Sequence, residues 1–144
     1  MMKIIMGSDH AGYPMKEKVI THLRERGIEV EDAGTYSEES VDYTDYGRAV
    51  ATKVSEASFD RGILICGTGL GMSMVANRFR GVRAALANDL FSAMMSRRHN
   101  DSNILVIGGR LIGDTLAMEI VDTWIETPFE GGRHQRRVEK MDIE

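Results

Sequence analysis

Cysteine is nearly absent: Cys66 is the only one in 144 residues. One cysteine cannot form an internal disulfide, so a reducing compartment, the cytoplasm, is expected. Proline is scarce as well, at two residues, and no serine- or glycine-rich run marks a linker, repeat or low-complexity segment. No apolar run approaches the roughly 20 residues of a membrane-spanning helix. The opening MMKIIMGSDHAG has only three consecutive apolar residues after Lys3, too few for a secretory signal core. Positive charge is not in excess. Lys and Arg number 18 against 22 Asp and Glu, a net charge of −4, which argues against a general nucleic-acid binder.

What remains is 42% apolar and 28% charged, the make-up of one ordinary domain over residues 1–144. Short apolar runs alternate with stretches of helical period. Lys3–Met6, Ile28–Val30, Gly62–Cys66, Val82–Ala87 and Ile104–Ile107 read as strands. Met15, Val19 and Leu23 recur every four residues, as on one face of a helix. Tyr46, Val50 and Val54 mark a second helix, Gly71–Phe79 a third, Leu90 to Met95 a fourth, and Leu116 to Ile125 a fifth. A polar helix is expected near Arg133–Lys140, within about 130–142. Strand and helix alternate five times, which predicts an α/β fold. It would be a Rossmann-like three-layer α/β/α domain, a five-stranded parallel sheet with helices on both faces. Ligands of such sheets bind beyond the carboxyl ends of the strands. The candidate positions are therefore Ser8-Asp9-His10, Cys66 to Gly71, Asn88-Asp89 and Gly108-Gly109-Arg110.

ILICGTGLGMSM, residues 63–74, puts the only thiol at the lip of a loop with Gly67, Gly69 and Gly71 at every second position. Three chemistries fit in part. A dinucleotide fingerprint has its first two glycines and a later acid, Asp89, but Met72 takes the place of the third glycine. Phosphate chemistry is the second. A Cys-x5-Arg phosphatase loop is contradicted by Met72 and a nucleotide P-loop lacks its lysine, yet a phosphocysteine carrier stays open. The third is acid–base catalysis. Backbone N–H groups and the positive end of a helix favour a thiolate over a thiol and can hold an oxyanion. Against all three, a cysteine after Ile-Leu-Ile is most often a small core residue.

Asp9 and His10 follow the first strand; Asp9 would serve equally as a helix cap. Arg133 and Arg137 are four apart and share a helix face, where two guanidinium forks suit a phosphate dianion or simply meet solvent. His99-Asn100 falls after the fourth helix, at the amino edge of the sheet and opposite Cys66. There it could serve a neighbouring subunit's site or merely cap the helix, with Asn100 in a left-handed turn.

GSDHAG at 7–12, GILICGTGLGMSM at 62–74, RRHND at 97–101 and TPFEGGRHQRR at 127–137 together resemble the ribose-5-phosphate isomerase B and galactose-6-phosphate isomerase family. The motifs fall in matching order over essentially the whole chain. The resemblance implies an enzyme that needs no metal or other cofactor and interconverts aldose and ketose phosphates, most often ribose 5-phosphate and ribulose 5-phosphate. Relatives act on other pentose, hexose or tetrose phosphates. It implies that Cys66 shuttles a proton between C1 and C2 through a cis-enediolate, with the backbone of Gly67, Gly69 and Gly71 and the side chain of Asn100 holding the oxyanion. His99 would assist ring opening, and Asp9 and Thr68 would handle sugar hydroxyls. His10, Arg110, Arg133 and Arg137 would hold the phosphate, with Tyr43 near the sugar. Family members are dimers or dimers of dimers with sites shared across subunits, which would account for the position of His99. Two positions depart from the family pattern: Thr44 replaces a usual proline, and Asn88 stands where histidine or cysteine is frequent.

Overall fold

The computed structural model describes residues 2–142. Its elements in chain order are β1 (Lys3–Ser8), α1 (Tyr13–Glu25), β2 (Glu29–Asp32), α2 (Tyr43–Ser55), β3 (Arg61–Cys66) and α3 (Leu70–Ala76). There follow β4 (Ala84–Leu86), α4 (Leu90–Arg98), β5 (Ile104–Gly108), α5 (Asp114–Glu126) and α6 (Arg133–Glu139). All five strands are parallel, in the order β2-β1-β3-β5-β4. The fold is the expected Rossmann-like one.

Alternation along the central strands sorts the core into two layers. Ile4, Met6, Ile63, Ile65, Leu105 and Ile107 pack with α1, α4 and α5. Ile5, Leu64, Cys66, Ile104 and Val106 pack with α2 and α3. Strands buried on both faces read as unbroken apolar runs, as in Ile63–Cys66 of β3 and Ile104–Ile107 of β5. The order has a consequence for function. From β1 the chain crosses to β2 on one side, and from β3 it leaves toward the other. Between their carboxyl ends lies the crevice where such sheets take ligands.

Two expected boundaries are corrected. The third helix ends at Ala76, not Phe79, and β4 covers only Ala84–Leu86 rather than Val82–Ala87. One residue accounts for both: the Asn77 carboxamide accepts from the Ala84 N–H at 2.8 Å and donates to the Ala84 carbonyl at 2.9 Å. It thereby pairs with the edge strand and stops the helix there. Among the described residues no helix is long and apolar enough to cross a membrane.

At the end of β2, buried Lys16 of α1 meets both oxygens of Asp32, at 2.7 and 2.8 Å, with the Tyr13 and Tyr36 rings 5.4 and 5.6 Å from its ammonium. Asp32 also accepts from the Gly34 N–H at 2.9 Å, which starts the loop toward α2. Removing Lys16 leaves Asp32 without its counter-charge, whereas removing Asp32 leaves Lys16 with only Glu17, 3.1 Å away. Lys16→Met should therefore cost on the order of 3 kcal/mol in urea unfolding. Lys16→Met combined with Asp32→Leu should lose less than the sum of the two single changes, and simple additivity would mean that the pair is not coupled.

Candidate active site

The end of β3 is held from both flanks. On one side the Asp9 N–H donates to the Ile65 carbonyl at 3.3 Å; on the other, Gly109 donates to Cys66 O at 2.8 Å and Arg110 to Gly67 O at 3.0 Å. The ladder thus runs on past the strands and seats Asp9, Cys66 and Arg110 side by side. The next loop is tied in by the Asn88 carboxamide, which accepts from the Gly108 N–H at 2.8 Å. That bond gives Asn88, one of the two departures from the family pattern, a bracing task of its own. Thr44, the other, lies in the first turn of α2. Proline is tolerated there because the N–H it removes has no helical partner, so its absence leaves the helix start unchanged.

Cys66 is 6% exposed, and its sulfur accepts a hydrogen bond from the Gly69 N–H at 3.2 Å. The turn that aims this N–H at the sulfur requires Gly69 to adopt φ +87°, and a Cβ there would run into Leu86. Side chains other than glycine rarely hold that conformation. At Gly71 a Cβ would fall 2.6 Å from the Tyr43 ring, so Tyr43 packs closely against the loop. Since α3 has only seven residues, the N–H groups of the loop contribute more at the thiol than any long helix dipole. Thr68 is exposed, and its hydroxyl accepts from the Leu70 N–H at 3.2 Å.

Asp9 is buried and accepts from the Gly12 N–H at 2.9 Å. It braces the turn into α1 and still has a second oxygen to offer. The Nδ1 of His10 accepts from the Val41 N–H at 3.2 Å. The neutral ring therefore carries its proton on Nε2, ready to donate. Exposed Arg110 runs alongside Gly67. The dinucleotide reading loses its acid here. Asp89 caps α4, accepting from Ser92 N at 2.7 Å and Ser92 Oγ at 2.9 Å, and these bonds hold its carboxyl below the usual range.

The remaining sequence candidates gather elsewhere. His99, Asn100, Arg133 and Arg137 lie toward the amino edge, a strand length from Cys66, which is about 16 Å for a five-residue strand such as β5. His99 stacks on His134 with ring centroids 4.1 Å apart and planes 13° from parallel. The Glu130 carboxylate faces both rings, 3.8 Å from His99 Nε2 and 3.5 Å from His134 Nε2. Sequence reasoning did not single out Glu130, and it left His134 inside a basic run. Their spacing of four on the way into α6 was the signal available. The three could in principle meet one metal ion. Nearly parallel rings, however, cannot both aim an in-plane lone pair at one ion between them, and Arg133 and Arg137 add positive charge. A further correction concerns the cap. The left-handed residue after α4 is Asp101, at φ +48°, and not Asn100. Asn100 instead lines an open groove with Asn77, Arg83 and Met141.

Burial, the His99 ring and the Arg133 guanidinium hold the His134 imidazole below its ordinary value of 6.5, with Glu130 acting the other way. A base with a lowered pKa stays neutral in the folded chain where the unfolded chain takes up a proton. Stability is therefore lost as pH falls through that ordinary value, until folded His134 is itself protonated. Between about pH 7.5 and 5.5 the drop in Tm should be smaller in His134→Gln than in wild type. Equal drops would remove His134 as a cause.

Comparison with known proteins identifies the family. The family model described as Ribose/Galactose Isomerase matches residues 4–141. The chain is 50% identical over 141 residues to ribose-5-phosphate isomerase B of Escherichia coli strain K12, covering 98% of this chain and 95% of that one. A ribose 5-phosphate isomerase structure from Thermotoga maritima superposes with a TM-score of 0.95 at 57% identity, covering 98% and 97%. Ribose-5-phosphate isomerase B from Mycoplasma genitalium with bound ribulose-5-phosphate gives a TM-score of 0.94 at 41% identity, covering 97% and 93%.

Proposed function

The chain belongs to the ribose/galactose isomerase family, and we propose that it acts as one aldose–ketose isomerase domain that interconverts ribose 5-phosphate and ribulose 5-phosphate. The observation that carries this reading is the Cys66 sulfur under the Gly69 N–H, between Asp9 and Arg110 on one strand end. A hydrogen bond donated to sulfur strengthens when the sulfur is charged. The thiolate takes the proton from C2 of the open-chain aldose. The C–H electron pair becomes the C1=C2 double bond, and the carbonyl pair moves onto O1. This cis-enediolate is held by N–H groups of the loop from Gly67 through Gly69 to Gly71 and by the Asn100 carboxamide. Cys66 returns the proton to C1, and the O2 hydroxyl passes its proton to O1, so that O1 ends as the hydroxyl and O2 as the ketone oxygen. His99 opens the furanose by taking the proton of the O1 hydroxyl and delivering one to the ring oxygen. Asp9 and Thr68 orient hydroxyls, Tyr43 walls the sugar, and His10, Arg110, Arg133 and Arg137 grip the phosphate.

Four of these groups, His99, Asn100, Arg133 and Arg137, cannot reach Cys66 within one chain, so the active unit is a homodimer or a dimer of dimers. Each site joins the carboxyl edge of one copy to the amino edge of another. Large apolar side chains support this reading. Leu70 and Met74 on α3, Leu90 and Phe91 on α4, and Leu111 after β5 are 39 to 67% exposed, and all flank the carboxyl edge. An exposed apolar rim around a polar site suits a self-complementary contact.

NMR in D2O without added metal should show ribulose 5-phosphate forming from ribose 5-phosphate, with deuterium entering beside the carbonyl. Cys66→Ala should lower kcat at least ~100-fold, the scale of a positioned general base, and leave KM little changed. Conversion of allose, galactose or erythrose phosphate instead would reassign the sugar. No conversion or exchange with any of them, together with phosphate uptake on Cys66, would favour a phosphocysteine carrier. In a second test, inactive Cys66→Ala and His99→Ala chains are mixed under confirmed subunit exchange. Activity should return to about one quarter of wild type, the statistical share of intact sites. No recovery would mean that each site is built within one chain.

A further inference from the structure

The amino-edge cluster raises a question that the proposed chemistry leaves open: what holds His99 and Asn100 in place? They sit between the last turn of α4 and the start of β5, and Asn100 is exposed. The next residue, Asp101, adopts φ +48°, a left-handed conformation that residues other than glycine seldom take, though aspartate and asparagine tolerate it best. Two arginines hold it there. Arg97, buried in α4, donates from Nη1 to Asp101 Oδ1 at 2.9 Å. Arg83, entering β4, donates from Nε to the Asp101 carbonyl at 2.9 Å and reaches Oδ2 from Nη2 at 3.4 Å. The Asp101 N–H closes the turn on the Arg97 carbonyl at 3.3 Å.

Arg97 does more than pair with Asp101. Its Nη1 also donates to the Ser102 carbonyl at 2.6 Å, and its Nε to the Thr127 carbonyl at 3.2 Å. The Glu130 N–H donates to the Arg98 carbonyl at 3.0 Å. The segment leading into α6 is thus tied to the same turn of α4. A third guanidinium, Arg61, is pushed down to about 10 by burial and by Arg97, with Asp101 acting in the opposite direction. Asp101 is the carboxylate at the centre of this group, and its backbone is the one that aims His99 and Asn100.

We propose that Asp101 is the positioning residue of the amino-edge half-site: clamped between Arg83 and Arg97 in a left-handed turn, it sets where His99 and Asn100 project, and through Arg97 it registers them against the segment that carries Arg133 and Arg137. It touches no substrate. Its effect is exerted through the two residues before it and through Arg97, and the proposal rests on the shared-site isomerase reading above.

The test uses the subunit-mixing assay. Asp101→Asn keeps the side-chain shape and the tolerance for a left-handed turn, and removes only the charge. It should lower kcat for ribose 5-phosphate at least about tenfold, as small misplacements of reacting groups do, with an unchanged far-UV spectrum and oligomeric state. Mixed with Cys66→Ala, it should recover to about one quarter of wild type, because those hybrids contain one site with an intact amino edge. Mixed with His99→Ala, it should not recover, because both lesions lie in the same half. Damage to the fold in general would not sort between the two partners in this way. If Asp101→Asn does not fold, Arg83→Gln, which removes one arm of the clamp, should show the same pattern with a smaller loss. Full kcat in the folded variant, or recovery with His99→Ala, would overturn the assignment. Failure of the Cys66→Ala and His99→Ala mixture itself would instead overturn the shared site, so the two outcomes are distinguishable.

Discussion

The arrangement depends on the backbone pairing at the end of β3. A parallel sheet would ordinarily stop at Cys66, leaving a thiol on a free loop. Here the ladder continues for two more residues, with Asp9 donating from one flank and Gly109 and Arg110 from the other. Each of these bonds is worth little on its own, on the order of 1 kcal/mol. Together they turn three loops into one rigid platform, and a base must be held to within a fraction of an ångström to work. The Gly69 turn depends on that platform, since its N–H meets the sulfur only while Cys66 and the following loop keep their places.

At the amino edge the sheet pairing, which runs as far as Gly62 N–H to Asn103 O at 2.9 Å and Asn103 N–H to Arg83 O at 3.0 Å, is supplemented by side chains. These contacts include an ion pair, side chain to backbone bonds and neutral bonds between side chains. Trp124 Nε1 donates to Ser102 Oγ at 2.8 Å, Ser102 pairs with Ser96 at 2.9 Å, and Arg97 links Asp101, Ser102 and Thr127. This network joins α4, the entry to β5 and α5, so that residues about thirty apart in sequence, His99 and Glu130 to Arg137, share one patch of surface. The two edges of the sheet therefore carry different equipment: a thiol, a buried carboxylate and an arginine at one, an imidazole pair and two exposed arginines at the other. In the homodimer we propose, symmetry brings one of each together twice.

Much of this was legible in the residues. Unbroken apolar runs gave away the strands, because a doubly covered strand needs no polar face. The alternation of strand and helix implies a parallel sheet, and a parallel sheet puts Asp9, Cys66 and Arg110 at one edge. The same logic put His99 at the wrong edge for a site within one chain. What stayed hidden was pairing over distance. Asn77 looked like one more polar residue in a helix, yet its carboxamide bonds to β4 and ends the helix early. His134 looked like part of a basic run, yet it stacks on His99.

Local order, then, belonged to the sequence by itself: period, punctuation and the chemical character of each loop follow from neighbours a few residues apart, and these decide which elements form and which edge each candidate occupies. Partnership belonged to the tertiary structure. Whether Asp89 is a ribose ligand or a helix cap, whether Asn100 or Asp101 takes the left-handed turn, and which carboxylate faces the two stacked histidines all depend on groups that meet only after the chain has folded. Hydrogen bonds and ion pairs act over about 3–4 Å, and no spacing along a chain reveals which distant atoms will come that close.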